Sequence, residues 1–94
     1  MSMFYRNTEN LSARQLYEKG MDAYEQKNYK EAVRIFRTAS KLGDTDAQYM
    51  MVHMYYHGYG VFENHNAATS WFLYSAKNGN ADAQSYLRKL GIWK

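Results

Sequence analysis

The chain repeats itself at an offset of 36 residues. "EAVRIFRTASKLGDTDAQ" (31–48) lies over "AATSWFLYSAKNGNADAQ" (67–84), so that Ala32 meets Ala68, Phe36 meets Phe72 and Gly43 meets Gly79, and Asp46-Ala47-Gln48 meets Asp82-Ala83-Gln84. A period of this length is the mark of an array of helical hairpins. Each unit of such an array buries its apolar face only by stacking on the next.

Spacing within each unit is helical. Ala32, Ile35, Phe36 and Ala39 fall at i, i+3, i+4 and i+7, and Ala47, Met50, Met51 and Met54 make a second stripe. Lys30, Arg34, Arg37 and Lys41 lie opposite the first stripe as a basic face. Ser12 with Gln15 reads as a capping box, and Asp44 and Asn80 as caps of the helices that follow. Gly43, Gly58 and Gly79 suit left-handed positions after helix ends. These signals predict helices over about 11–27, 29–42, 45–57, 65–78 and 81–91. The expected fold is all-α: antiparallel hairpins stacked in a short right-handed α-solenoid of about two and a half repeats. Residues 1–10 read as a tail, 11–43 and 44–79 as the two hairpins, and 80–94 as a terminal helix.

Composition narrows the function classes. There is no cysteine, which removes disulfides and thiolate metal sites. No apolar run reaches the roughly 18–20 residues that span a bilayer, and the first ten residues lack a signal-like apolar core, so a cytoplasmic location is expected. A net charge of +3 is a mild excess, short of the pattern of a dedicated nucleic-acid binder.

Residues 47–83 resemble one Sel-one-like repeat, a relative of the tetratricopeptide repeat. The residues that carry the likeness are Ala47-Gln48-Tyr49, Met51-Val52, Tyr55, Gly58-Tyr59-Gly60-Val61, Asn64, Ala68 with Trp71, Ser75-Ala76 and Gly79. Val52 stands where the family has glycine, Met51 where it has leucine and Ser75 where it has alanine. Residues 13–46 are closer to a tetratricopeptide repeat, with Gly20, Ala23-Tyr24, Asn28-Tyr29, Glu31-Ala32, Phe36 and Ala39 at that spacing. Gly20 to Ala32 is 12 residues while Val52 to Ala68 is 16, which places four extra residues in the turn around Gly58–Val61. The resemblance implies a non-enzymatic, bacterial-style adaptor or scaffold that binds proteins.

Sharper chemistries fare less well. His53 and His57 are four apart on a helix and His65 follows, but the Glu of His-Glu-x-x-His is missing, so no metal is expected. Gly58-Tyr59-Gly60 ends a helix, where the dipole repels anions, and so is no phosphate loop. Ser70, Ser75 and Ser85 have no paired base, and neither catalysis nor a cofactor is expected.

The ten tyrosines are the best functional clue. The family likeness implies that the first helix of each hairpin lines a concave face. Tyr17, Met21 and Tyr24 correspond to Tyr49, His53 and Tyr56, and the terminal helix supplies Ser85, Lys89 and Ile92. Each set is spaced i, i+4, i+7 and faces one way. Tyrosine and histidine offer large contact area with a polar tip. The expected site is therefore a groove lined by Tyr17, Met21, Tyr24, Tyr49, His53, Tyr56 and Lys89, with His57 at its edge; the alternative is that these rings only pack helix on helix. The basic face of Lys30, Arg34, Arg37 and Lys41 reads as a solvated surface, or as a docking surface for an acidic protein or a nucleic-acid backbone. Other roles are an immunity or inhibitor protein that neutralises a toxin or enzyme, and self-association through the apolar ends Met3-Phe4-Tyr5 and Ile92-Trp93.

Overall fold

A computed structural model describes residues 11–93. Five helices follow in order: α1 (Ala13–Glu25), α2 (Tyr29–Lys41), α3 (Thr45–His57), α4 (His65–Lys77) and α5 (Ala81–Lys89). The described residues contain helices and turns and no strand. Consecutive helices pack on one another, and α1 also touches α3, so alternate helices lie side by side as hairpin stacking requires. The expectation about the Met3-Phe4-Tyr5 end lies outside the described residues.

The stop signals act slightly earlier than the sequence suggests. Helix α1 ends at Glu25 because Lys27 takes a left-handed φ of 62°. Helix α5 ends at Lys89, two residues before Gly91 turns left-handed at φ 78°. Ile92 is thereby off the helix and does not extend the Ser85–Lys89 face, as the periodicity had it.

The repeated residues have one structural reason. Asp44 and Asn80 are buried N-caps, accepting from Ala47 N at 2.8 Å and Ala83 N at 2.9 Å. Four residues beyond each cap, Gln48 Nε2 donates to Ser40 O at 3.1 Å and Gln84 Nε2 to Ala76 O at 2.8 Å. Each glutamine thus reaches back to a carbonyl near the end of the preceding helix, where intrahelical partners run out. Ala47 and Ala83, between cap and glutamine, are fully buried. Gly43 and Gly79 make the same turn at φ 105° and 100°. The Asp/Asn-x-x-Ala-Gln pattern is a joint between hairpins, built twice.

Asn80 also donates to Asp46 Oδ1 at 2.9 Å and to Thr45 O at 3.3 Å, tying α5 to α3. Asn80→Ala is expected to lower stability by about 1–2 kcal/mol, the value of a cap plus these ties. A urea midpoint unchanged from wild type would show that the joint tolerates an uncapped α5.

The main core joins α1, α2 and α3 through Leu16, Ala23, Ile35, Phe36, Met51 and Met54. A smaller core of Ala76, Ala83 and Leu87 holds α5, with Trp93 folded back against it. Leu90 and Ile92 stay more than half exposed at that end.

Candidate partner-binding groove

Each predicted tyrosine packs and remains reachable. Tyr17, Met21, Tyr24, Tyr49 and His53 are half-buried, whereas Tyr56 and Lys89 are exposed. Tyr17, Met21 and Tyr24 lie against the main core and Tyr49 against the smaller one.

The rings form a connected run. Tyr24 lies 5.6 Å from Tyr29 and 6.3 Å from Tyr59, and Tyr29 and Tyr59 stack at 4.5 Å with an 11° tilt. Tyr59 stacks on His57 at 5.1 Å, His57 lies parallel to His53 at 6.3 Å, and His53 meets the Tyr49 ring edge-on at 5.2 Å. Tyr49 then contacts Phe72 at 5.6 Å, and Phe72 stacks on Tyr86 at 4.9 Å. Offset stacks and edge contacts are the arrangements that ring quadrupoles favour.

Tyr56 branches from this run, stacking on His65 at 4.4 Å and touching His57 edge-on at 5.1 Å. Tyr17 stands apart from it, beside Phe36 at 6.1 Å and under the Arg14 guanidinium at 4.5 Å. Arg14 in turn reaches Asp46 at 2.7 Å and Asp44 at 3.0 Å, joining α1 to the start of α3. Met21 and Lys89 have no ring contact to make.

Sequence reasoning missed Tyr29, Tyr59, Phe72 and Tyr86. Helical spacing relates residues of one helix, whereas these rings arrive from α2, the α3–α4 turn, α4 and α5. One signal was present: Val52 occupies the position of Gly20. A Cβ at Gly20 would come within 2.6 Å of the Phe36 ring, which is fully buried there. Val52 has that Cβ and more, so Phe72, the counterpart of Phe36, does not seat as deeply and is left half-buried against Tyr86. With Val52, Tyr56, Leu87 and Ile92 it lines a cleft of about 190 Å³.

The basic face is less uniform than its spacing predicts. Glu31 interrupts it, binding Arg34 through contacts of 2.6 and 3.0 Å, and the carboxyl is held below its ordinary range by that hydrogen bond. Arg37 is half-buried and donates to the Tyr55 hydroxyl at 3.1 Å. Lys30 and Lys41 remain exposed.

Burial raises the Tyr17, Tyr24 and Tyr49 hydroxyls above the ordinary tyrosine value, and nearby Asp46, Tyr59 and Asp82 respectively add to the effect. These groups stay neutral donors at physiological pH. Burial lowers His53, and the neighbouring His57 lowers it further. A base that binds its proton less well when folded loses stability as pH drops through its ordinary value of 6.5, and the loss levels off below the folded value. His53 is expected to titrate below 6.5 by histidine NMR, and to move up but stay depressed in His57→Gln, since burial is the larger cause. A midpoint at or above 6.5 in the wild type would contradict this.

The histidines do not converge on a point. His65 Nε2 turns to Glu63 at 2.8 Å, and no group of three His, Cys, Asp or Glu side chains suited to a metal ion occurs among the described residues. Ser75 is buried, its hydroxyl donating to Thr45 O at 3.0 Å, which is a packing role.

The Sel1 repeat family model matches residues 9–44 and 45–80, together more than half of the chain. The chain belongs to the Sel1 repeat family. The first match includes the hairpin whose spacing resembles a tetratricopeptide repeat, so both hairpins are Sel1 repeats. Sel1 repeats are protein-interaction repeats, characteristically without catalytic activity. No curated protein and no solved structure matches the chain. No helix among the described residues is long and apolar enough to cross a membrane.

Proposed function

We propose that this chain is a non-enzymatic adaptor or scaffold module that binds a protein or short peptide along the surface of Tyr17, Met21, Tyr24, Tyr49, His53, Tyr56 and Lys89. The observation that carries the reading is the connected run of half-buried and exposed rings from Tyr24 to Tyr86, extending from the first hairpin to the terminal helix. Rings already fixed by their neighbours lose little freedom on binding, and aromatic residues dominate binding energy at interfaces. Two and a half repeats suit one peptide or one face of a partner.

Capture from source cells with wild type and with a Tyr17/Tyr49/Tyr56→Ala variant tests the site. The variant is expected to keep its helical circular dichroism and to capture at least about tenfold less partner, as the loss of hot-spot rings implies. Equal capture by a folded variant would remove the groove as the binding surface. A toxin or enzyme as sole partner would assign the inhibitor role instead of the adaptor role. A nucleic-acid role for the basic face has less support, because Glu31 interrupts it and pairs with Arg34.

A further inference from the structure

We propose that the turn spanning 58–64, which gives Tyr59 to the ring run, also builds around Phe62 a second docking surface for an acidic peptide segment that carries a large apolar side chain. Phe62 is 96% exposed, the most exposed large hydrophobic among the described residues. Its turn is pinned on both sides: Tyr59 N donates to Met54 O at 2.9 Å, and Asn64 N to Tyr55 O at 2.8 Å. Asn64 also caps α4, accepting from Ala67 N at 3.0 Å, and Gly60 sits directly on the Tyr29 carbonyl. A phenylalanine held in water by a fixed backbone is a pre-organised anchor, since ordering it on binding has little left to remove.

Beside Phe62 lies an open depression of about 760 Å³, with Tyr55 and Val61 in its wall and Lys30 and Asn64 at its border. None of the groove residues lines it. It is a product of the longer turn, which the first hairpin lacks.

Charge selects the occupant. Glu31 is paired by Arg34, and Glu63, bonded to His65 at 2.8 Å, is the one nearby carboxylate without a fixed cation among the described residues, outnumbered by Lys30 and Arg37. Lys30 makes no ion pair among the described residues, and Arg37 points its guanidinium at the Tyr55 hydroxyl in the wall. An apolar side chain flanked by carboxylates satisfies both features: it covers Phe62 and Val61 while its acids face Lys30 and Arg37. Such a site attracts acidic peptide and repels basic peptide.

The test titrates the ¹⁵N-labelled full chain with an acetylated peptide Glu-Asp-Glu-Leu-Phe-Asp-Glu. Amide shifts are expected at Lys30, Tyr55, Gly58, Gly60, Val61 and Phe62, with affinity about five- to tenfold weaker at about 300 mM than at about 50 mM salt. Phe62→Ser and Lys30→Glu, both on exposed side chains, are expected to keep the wild-type melting temperature and lose these shifts. The proposal is overturned by no shift at about 1 mM peptide, by shifts confined to the ring-lined groove, or by unchanged affinity in a folded Phe62→Ser. Tighter binding of an oligothymidine than of the peptide over the same amides would overturn it in favour of nucleic acid.

Discussion

Phe36→Ala is expected to lower the unfolding free energy by about 3–5 kcal/mol, the usual range for emptying a fully buried phenylalanine site. Domains of this kind have only about 5–15 kcal/mol in total, so the variant should be partly unfolded or close to it near body temperature. The reason is local. Phe36 has no exposure, and its ring lies against the backbone of Gly20, in the space a Cβ would fill. Neither α1 nor α2 is able to collapse into that gap without moving the α1–α2 crossing. Phe72→Ala serves as the internal control. Its ring is only partly buried, so its removal should lower stability less, by about 1–2 kcal/mol. Urea denaturation of both variants checks the contrast, and equal losses would mean that Val52 does not displace Phe72 in the way described.

Gly60→Ala is expected to lower stability by about 2–5 kcal/mol, more than any other glycine substitution in a turn. Two effects combine. Gly60 has φ of 77°, a left-handed conformation that disfavours an L side chain by about 1–2 kcal/mol. An added Cβ would also fall on the Tyr29 carbonyl, within 2.7 Å of its carbon and 3.0 Å of Lys30 N. Backbone does not yield as a flexible side chain does, so the turn has to move away from α2, a further 1–3 kcal/mol or so of overpacking. Gly43→Ala and Gly79→Ala separate the two effects. Both residues have positive φ, but nothing lies within 4 Å of the added atom, so only the conformational part, about 1–2 kcal/mol, applies. Loss of the Tyr29–Tyr59 stack in Gly60→Ala should appear as altered ring-current shifts of both tyrosines. Gly60→Ala no more destabilising than Gly43→Ala would show that the close approach to Tyr29 carries no weight.

The two effects share a cause. In each case a glycine lets an aromatic ring or a turn come closer than a side chain would permit, and the arrangement of the rings depends on both approaches. Gly20 sinks Phe36 so that Tyr17 lies over it; Gly60 seats the longer turn so that Tyr59 joins Tyr24 and Tyr29 to the histidines of α3. Stability and site geometry are therefore linked at the turn, and variants there need a folding control before a binding loss is read as a lost contact.

Local, periodic features were legible from the chain alone. The 36-residue offset, the capping residues Ser12, Asp44 and Asn80, and the apolar stripes define five helices and their order, because each depends on residues within a turn or two of one another. The same locality explains why the second hairpin was legible as a Sel1-like repeat, while the first, read as closer to a tetratricopeptide repeat, is matched by the Sel1 model too. What only the tertiary structure decided is how residues from different helices meet. Tyr59 and Tyr29 belong with Tyr24 because the turn folds onto α2, while Arg34 is paired by Glu31 and Arg37 turns to the Tyr55 hydroxyl. Phe62 is left in water beside Lys30 because both flanks of its turn are pinned by backbone bonds. Helical periodicity states which way a side chain leaves its own axis; the distances between axes, which set every one of these contacts, are fixed by packing.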